Sequence, residues 1–298
     1  MRSLNSLLGP MRVPFLLLTP ACVALGVATA YWQTRHLDGW QVLLVLIAAL
    51  ASHIAVNALN EYVDFKTGLD LRTQRTPFSG GSGTLPQQPH LAKTALWTGL
   101  VSLGVLSLIG AYFVALRGWL LALIGVLGMV VIVTYTPLIT RLPALCLIAP
   151  GLGFGPLMVI GTHLALGGSL SAAVVVASLV PFFLVNNLLL LNQFPDVEAD
   201  RSVGRHHYPI TLGRRRSAVI YALFLGLAYL AVAGGVAAGV LPPTSLLGLL
   251  AAVLLPRVIQ GVLRHADNIP QLMPYLGLNV ILNLVTPVLV ALGFFLAV

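Results

Sequence analysis

Two clusters of acidic residues are the feature of this chain that points most directly to chemistry. They hold six of the eight acidic residues: Glu61, Asp64 and Asp70 in the first, and Asp196, Glu198 and Asp200 in the second. Asn60 stands four residues before Asp64, and Asn192 stands four residues before Asp196. Residues four apart project from one face of a helix, so each pair presents hard oxygen ligands in one direction. Oxygen ligands of this kind suit Mg²⁺, which commonly bridges to substrate phosphates.

Basic residues accompany both clusters. Lys66, Arg72 and Arg75 follow the first, and Arg205 follows the second. Facing carboxylates repel each other unless cations lie between them, whereas lysine and arginine bind phosphate, so the combination predicts a diphosphate site. For either cluster alone, another interpretation stays open, in which the acids cap helices, pair with loop arginines or face water. The equal offset of 132 residues between the two pairs (192 − 60 and 196 − 64) favours a shared site.

The composition sets the class of protein that must position these residues. Of the 298 residues, 58% are hydrophobic and 8% are charged, which excludes both an ordinary water-soluble globule and a disordered chain. The net charge of +8 lies between apolar segments, so it does not indicate nucleic-acid binding. The two cysteines, Cys22 and Cys146, stand in apolar stretches and predict neither a disulfide nor a thiolate metal site.

Apolar runs of membrane-spanning length predict an all-α integral membrane bundle of nine transmembrane helices. The predicted spans are 13–32, 40–62, 94–116, 118–136, 143–166, 172–194, 217–240, 245–264 and 274–297. The acidic clusters end the second and sixth spans, which indicates two similar four-helix halves plus a ninth helix. We therefore expect a single transmembrane domain over residues 1–298, with motif loops at about 60–92 and 192–216. Asparagines within the spans, at 186, 187, 279 and 283, are expected to bond between helices rather than to line a cavity.

The distribution of basic residues predicts the orientation. With nine spans, 14 of the 16 lysines and arginines fall on the side of the amino terminus, and only Arg35 and Arg117 fall on the other. By the positive-inside rule, the amino terminus and both acidic clusters are cytoplasmic, in what we expect to be a bacterial inner membrane. Arg12 lies on this side too, either as an interfacial anchor or as a contact to an anionic substrate.

These motifs resemble those of the UbiA superfamily of intramembrane aromatic prenyltransferases. The segment Asn60-Glu61-Tyr62-Val63-Asp64, with Gly68 and Asp70, is similar to the first aspartate-rich motif of the family. The segment Asp196-Val197-Glu198-Ala199-Asp200, with Asn192 before it, is similar to the second. The stretches 64–70 and 154–162 are most similar to the 1,4-dihydroxy-2-naphthoate polyprenyltransferases of menaquinone synthesis. The resemblance implies Mg²⁺-dependent transfer of a polyprenyl group from a prenyl diphosphate to an aromatic acceptor.

The resemblance also implies roles for individual residues. The catalytic residues would be Asp64, Asp196 and Asp200. The metal ligands would be drawn from Asn60, Glu61, Asp64, Asp70, Asn192, Asp196 and Asp200. The substrate-binding residues would be Lys66, Arg72, Arg75, Arg205, Asn57, Tyr135 and Arg141.

The chain departs from the family pattern at three places. Glu61 stands where the common motif has aspartate, and Gly68 stands where another aspartate is frequent. His206 and His207 stand in the loop after the second motif. Neighbours in sequence rarely point in the same direction, so we expect a solvated loop rather than a pair of histidine metal ligands. The glycine-rich loop, residues 76–83, lacks the lysine of a P-loop and is interpreted as a lid or connector.

Two alternatives to this function remain. The first is a prenyltransferase with another acceptor, such as 4-hydroxybenzoate, homogentisate or a glyceryl ether. The second is a secondary transporter, which would also show repeats and polar residues within helices, but whose ionisable residues are expected near the bilayer midplane rather than at helix ends. Prenyl diphosphate, the acceptor and membrane lipid are the expected partners, nucleic acid is not, and the oligomeric state stays open.

Overall fold

The computed structural model describes residues 8–298, and within that range it contains helices and no strands. The main helices are α1 (Leu18–Thr34), α2 (Gly39–Lys66), α3 (Ala92–Arg117), α4 (Trp119–Thr134), α5 (Pro143–Ala165), α6 (Ala172–Ser202), α7 (Arg214–Ala237), α8 (Pro243–His265) and α9 (Ile269–Leu296). Eight of them are long and apolar enough to span a membrane when α1 is taken with the helical turns that precede it, Gly9–Thr34, whereas α4 has 16 residues. The predicted all-helical membrane bundle is confirmed; the predicted count of nine spans is not.

Short connections impose antiparallel packing on neighbouring helices. Asp38 caps α2, since its Oδ1 accepts a hydrogen bond from the backbone nitrogen of Trp40 at 2.8 Å. A single residue, Gly118, joins α3 to α4 with φ +93°, a conformation that side-chain-bearing residues rarely adopt. These connections bring alternate helix ends together at one end of the bundle.

The two helices that carry the acidic clusters extend further than their apolar runs predict. Helix α2 continues to Lys66 instead of residue 62, and α6 continues through Pro195 to Ser202 instead of residue 194. Phe194 and Val197 flank the proline and are both buried, so tertiary packing supports the helix across it. The helical parts of both acidic motifs therefore have the four-residue periodicity that places their oxygens on one face.

The outer surface is apolar, as expected for a protein surrounded by lipid. Large side chains such as Leu108, Val253 and Trp119 are at least 75% exposed. Trp40, Trp97 and Trp119 lie exposed near helix ends, the position that interfacial tryptophans take in membrane proteins. The structure is thus that of a multi-pass membrane protein.

Buried polar side chains join α6, α7 and α9. Asn187 donates to the backbone oxygen of Tyr221 at 2.8 Å, and the Tyr221 hydroxyl donates to Asn279 at 3.0 Å. Asn186 accepts from the Gly151 backbone nitrogen at 2.6 Å. The prediction of interhelical bonding is confirmed for these three asparagines, whereas Asn283 donates within its own helix. The network fixes one side of the bundle, and the cavity described next lies on the other.

Candidate active site

A cavity of about 380 Å³ opens at the end of the bundle where α2 and α6 terminate. Its walls come from the segment before α1 and from α1 to α6, with Phe78, Ser79, Gly80 and Gly81 of the glycine-rich loop at its mouth. Polar side chains surround the mouth, and the deeper walls of α3 and α4 are apolar. The deep lining includes Leu106, Ile109, Gly110, Phe113, Leu121, Ile124, Gly125, Gly128, Val131 and Ile132. The volume is in the range of sites that bind small molecules.

Both acidic motifs face this cavity. From α2, Asn57, Asn60 and Asp64 line it, and from α6, Asn192, Asp196 and Asp200 do so. Asp70, which follows α2 in a short 3₁₀ turn at Leu69–Leu71, lines it as well. The helix periodicity that the sequence predicts is therefore realised, because residues spaced three or four apart on each helix reach one space.

Arg205 joins the two motifs directly. Its guanidinium donates to Asp200 Oδ1 at 2.8 Å through Nη1 and makes a short contact to Asp64 Oδ1 through Nη2. Its side chain is 15% exposed. Burial by itself would lower the pKa of Arg205, but the charges of Asp64 and Asp200 outweigh this and raise it. Arg205 therefore remains a cation between the two acidic clusters.

His207 contacts the same aspartate from the other side. Its Nε2 lies 2.8 Å from Asp200 Oδ2, and its ring is 2% exposed and lines the cavity. The expectation of a solvated histidine pair is therefore wrong for His207, although His206 is exposed. The local sequence carried no signal for this, because the burial arises from the fold of the chain between α6 and α7.

Three oxygens at the cavity have no hydrogen-bond partner among residues 8–298. They are Oδ2 of Asp70, Oδ1 of Asn192 and Oδ1 of Asp196, and all three are buried. A buried oxygen acceptor without a partner costs free energy, and a bound ligand that contacts this oxygen would remove the cost. Burial, together with the charges of Glu61 and Asp64, raises the pKa of Asp70 to about 7. Carboxylate and amide oxygens of this type fit a hard divalent cation.

The charged side chains that line the cavity are mostly acidic. Four aspartates and two arginines, Arg12 and Arg205, line the cavity, which gives a formal balance of 2 − 4 = −2. Within residues 8–298, no three histidine, cysteine, aspartate or glutamate side chains are grouped closely enough to hold one metal ion. In this arrangement the guanidinium of Arg205 contacts one oxygen of Asp64 and one oxygen of Asp200.

Several predicted substrate-binding residues lie outside the cavity. Of the predicted set, Asn57, Tyr135 and Arg205 line it. Four cations, Lys66, Arg72, Arg75 and Arg141, are exposed and are not among the described residues that line it. Arg72 instead donates to the Ser202 hydroxyl at 3.2 Å, which connects the chain after α2 to the end of α6.

Arg12 is the cavity residue for which sequence reasoning left the role open. It lines the mouth, donates through Nε to Glu61 at 2.7 Å and donates through Nη2 to Asn60 at 3.0 Å. Arg12 also has a left-handed backbone, with φ 51°. As one of 14 basic residues on the predicted cytoplasmic side, it had no local pattern that set it apart. The structure places Arg12 at the mouth of the cavity, and its contact to an anionic substrate stays a prediction.

The fold and the cavity define a multi-pass membrane protein with an acidic, arginine-bridged mouth above an apolar chamber. The family model described as the UbiA prenyltransferase family matches residues 17–281. The chain belongs to this family and is a prenyltransferase.

Relatives and solved structures agree with this assignment. The chain is 29% identical over 248 residues to the 1,4-dihydroxy-2-naphthoate octaprenyltransferase of Bacillus subtilis, covering 83% of this chain and 77% of the relative. A UbiA homologue from Aeropyrum pernix has a similar fold, with a TM-score of 0.72 at 18% identity over 95% of this chain and 98% of the other. A homologue from Archaeoglobus fulgidus bound to GPP and Mg²⁺ has a TM-score of 0.61 at 14% identity over 97% and 99%.

Proposed function

We propose that this protein transfers a polyprenyl group from a prenyl diphosphate to 1,4-dihydroxy-2-naphthoate, with Mg²⁺ as its metal. The observation that carries the metal is the negative lining of the mouth: four aspartates outnumber two arginines, and three buried oxygens have no partner among the described residues. A diphosphate would be repelled from such a mouth unless divalent cations entered with it. The solved homologue from Archaeoglobus fulgidus that binds GPP together with Mg²⁺ supports this pairing.

The residues that would hold Mg²⁺ are those whose oxygens face the cavity. They are Asn60, Asp64, Asp70, Asn192, Asp196 and Asp200. When bound, Mg²⁺ would act as a Lewis acid that takes up negative charge on the departing diphosphate. Glu61 is left out of this set because it is not among the described residues that line the cavity. Its oxygens instead accept hydrogen bonds from Arg12 and Ser82.

The protein's own cations complete the diphosphate site. Arg12 and Arg205 are the arginines that line the mouth, and each presents a guanidinium suited to phosphate oxygens. Arg205 would exchange its contacts to Asp64 and Asp200 for contacts to the diphosphate as those carboxylates take up metal. The exposed Lys66, Arg72 and Arg75 would act at longer range, by attracting the anionic substrate to the mouth.

The chamber below the mouth suits the isoprenoid chain and the chemistry of its cleavage. Loss of diphosphate from an allylic carbon leaves a carbocation, which the electron-rich acceptor ring attacks with its π electrons. The attacked ring carbon then loses a proton, or its carboxylate group as CO₂, and the bonding electrons left behind restore aromaticity. The walls formed by Leu106, Ile109 and Val131 provide no nucleophile and exclude water, which would otherwise capture the cation. The apolar lining therefore serves both binding and selectivity.

The acceptor is inferred from two lines of support. The similarity of segments 64–70 and 154–162 to the menaquinone branch is one, and the printed activity of the Bacillus subtilis relative is the other. Segment Gly153–Ile160 of α5 is a π-helix, a rare form that is frequent at functional sites, and Phe154 and Leu157 from it line the cavity. An anionic hydroxylated aromatic acid also suits a mouth that carries Arg12.

The orientation follows from the charge distribution. We place the mouth on the cytoplasmic side, because 14 of 16 basic residues fall on the side of the amino terminus. A water-soluble acceptor and a diphosphate head group would both reach the mouth from that side, while the isoprenoid chain enters from the membrane.

A competition assay tests the acceptor. Purified protein in detergent or lipid is given one prenyl diphosphate, Mg²⁺ and an equimolar mixture of dihydroxynaphthoate, 4-hydroxybenzoate and homogentisate, and the products are identified by mass. We expect the prenylated naphthalene product to dominate. Efficient prenylation of 4-hydroxybenzoate without the naphthoate product would contradict the acceptor while leaving the reaction class intact.

A further inference from the structure

Glu61 is a fully buried carboxylate whose two oxygens are both held by protein donors. Oε1 accepts from Arg12 Nε at 2.7 Å and from the backbone nitrogen of Ser82 at 2.6 Å. Oε2 accepts from the Ser82 hydroxyl at 2.8 Å. The side chain is 0% exposed and is not among the described residues that line the cavity. These contacts join three parts of the chain: the segment before α1, the end of α2 and the glycine-rich loop.

Further contacts surround the same junction. A Cβ at Gly81, whose φ is +70°, would lie 3.2 Å from Glu61 Oε1 and 3.0 Å from Asp70 Oδ1. A Cβ at Gly9 would overlap the side chain of Thr84, so the amino-terminal segment also packs against the residues that follow the loop. The Thr84 backbone nitrogen donates to the Ser82 hydroxyl at 3.1 Å. Gly81 and Gly9 therefore allow the glycine-rich loop and the residues after it to pack closely against α2 and the amino-terminal segment. The hydrogen bonds between Glu61 and Ser82 hold this packing in place.

We infer that Glu61 is a positioning residue that fixes both the glycine-rich loop and the Arg12 guanidinium at the mouth of the cavity. Ser79, Gly80 and Gly81 line the mouth directly before Ser82, and Arg12 lines it from the other side. Loss of the Glu61 hydrogen bonds would thus remove the support of both Arg12 and the glycine-rich loop. The inference rests on the proposed function in one respect: the ligand at the mouth is taken to be the head group of a prenyl diphosphate. It replaces the metal-ligand role that the family resemblance implies for this position.

The length of the side chain fits this role. Glutamate reaches from the buried face of α2 to Arg12 and Ser82 together, through three hydrogen bonds. Aspartate, which is one methylene shorter, would have to give up part of this set or draw the loop inward. The two accounts therefore differ in what Glu61→Asp does. A ligand role predicts that aspartate works at least as well, whereas a positioning role predicts that it does not.

Steady-state kinetics of four single variants separate the accounts. Glu61→Gln, Glu61→Asp and Ser82→Ala are compared with Glu198→Gln, a control in which the carboxylate is 74% exposed and pairs with Arg201. We expect Glu61→Gln to raise KM for prenyl diphosphate about tenfold, as expected for loss of a buried hydrogen bond to a charged group, with a smaller change in kcat. Ser82→Ala should change KM in the same direction, Glu61→Asp should not restore it, and the half-saturating Mg²⁺ concentration should stay near that of the wild type.

A double variant gives the sharper result. If Glu61 and Ser82 act as one unit, Glu61→Gln with Ser82→Ala should be no worse than Glu61→Gln alone. The opposite pattern would overturn the inference: a large rise in half-saturating Mg²⁺ for Glu61→Gln, recovery in Glu61→Asp and a silent Ser82→Ala.

Limited proteolysis tests the same inference without any turnover. Trypsin cleaves after Arg72 and Arg75, which directly precede the glycine-rich loop. We expect faster cleavage there in Glu61→Gln and Ser82→Ala than in Glu198→Gln and the wild type, and equal rates would overturn the inference. If the wild-type protein transferred no prenyl group to any acceptor, the proposed function would fail, and this measurement would still decide the role of Glu61.

Discussion

The guanidinium of Arg205 contacts the carboxylate of Asp64, a residue 141 positions earlier in the chain. The contact joins the end of α6 to the end of α2, because Arg205 also binds Asp200 at 2.8 Å. A cation thus already lies between the two acidic motifs, and it reduces the repulsion that would otherwise oppose their approach. If metal and diphosphate bind between the motifs, as proposed above, Arg205 is the side chain that would have to rearrange.

Removing one aspartate from either motif should abolish transfer. We expect Asp64→Ala and Asp196→Ala to lower turnover by about 100-fold or more, because each loses oxygens that stabilise charge on the leaving diphosphate through the metal. Expression and membrane insertion should stay near wild type. Glu198→Ala, which removes an exposed carboxylate from the same helix as Asp196, is the control. Near-normal turnover in both aspartate variants would contradict the metal assignment.

Substitution of Arg205 should lower turnover far more than the same substitution of Arg201. Arg205→Gln leaves two buried aspartates without their shared cation and removes a phosphate-binding group, so we expect turnover to fall by about 100-fold. Arg201 is 52% exposed and pairs with Glu198, so Arg201→Gln should remain within about twofold of the wild type. Turnover and thermal stability of the two purified variants, measured side by side, check this prediction. Equal effects of the two substitutions would show that the contact of Arg205 to Asp64 does not decide the outcome.

The apolar chamber should limit the length of the isoprenoid chain. A Cβ at Gly104 or at Gly110 of α3 would meet no other atom within 4 Å, but Gly110 lines the chamber and Gly104 is exposed outside the cavity. We expect Gly110→Leu to shift the preference toward shorter prenyl diphosphates and Gly104→Leu to leave it unchanged, because only the first fills the chamber. Kinetics with a series of prenyl diphosphates provide the measurement. An unchanged preference in Gly110→Leu would place the isoprenoid chain elsewhere.

The orientation predicts a labelling pattern. In a background without Cys22 and Cys146, single cysteines at positions 75 and 216 should resist a membrane-impermeant thiol reagent in intact cells, while one at position 117 should react. The reason is the asymmetry of basic residues, which places the mouth in the cytoplasm. The reverse pattern would move the mouth, and the entry of soluble substrates, to the other side.

Much of the fold was predictable from the sequence, because hydropathy and motif spacing act locally. The apolar runs predicted the helical bundle, and the four-residue spacing predicted that Asn60 and Asp64 share one face, as do Asn192 and Asp196. Hydropathy placed the ends of α2 and α6 too early, because polar residues at the end of a helix lower the hydropathy in the same way as the polar residues of a loop. The structure extends these helices to Lys66 and Ser202.

The details of the site depended on contacts between distant segments, which no local pattern carries. His207 is buried because the chain after α6 folds back on Asp200. Arg12 reaches Glu61, 49 residues later, only because α1 packs antiparallel to α2. Conversely, Lys66 was predicted from its place beside the first motif and Arg141 from its place at the end of the fourth predicted span, but both are exposed outside the described cavity lining. Position along the chain therefore did not predict which cations face the cavity.

The central claim is metal-dependent prenyl transfer at the mouth formed by the two acidic motifs. Its most direct test is the rate of product formation by the purified protein with a labelled prenyl diphosphate and dihydroxynaphthoate, measured as free Mg²⁺ is varied with a metal buffer. The account predicts a prenylated product whose rate rises to saturation with Mg²⁺ and falls to background in excess chelator. Undiminished turnover in excess chelator, or no prenylated product at any Mg²⁺ concentration, would contradict it.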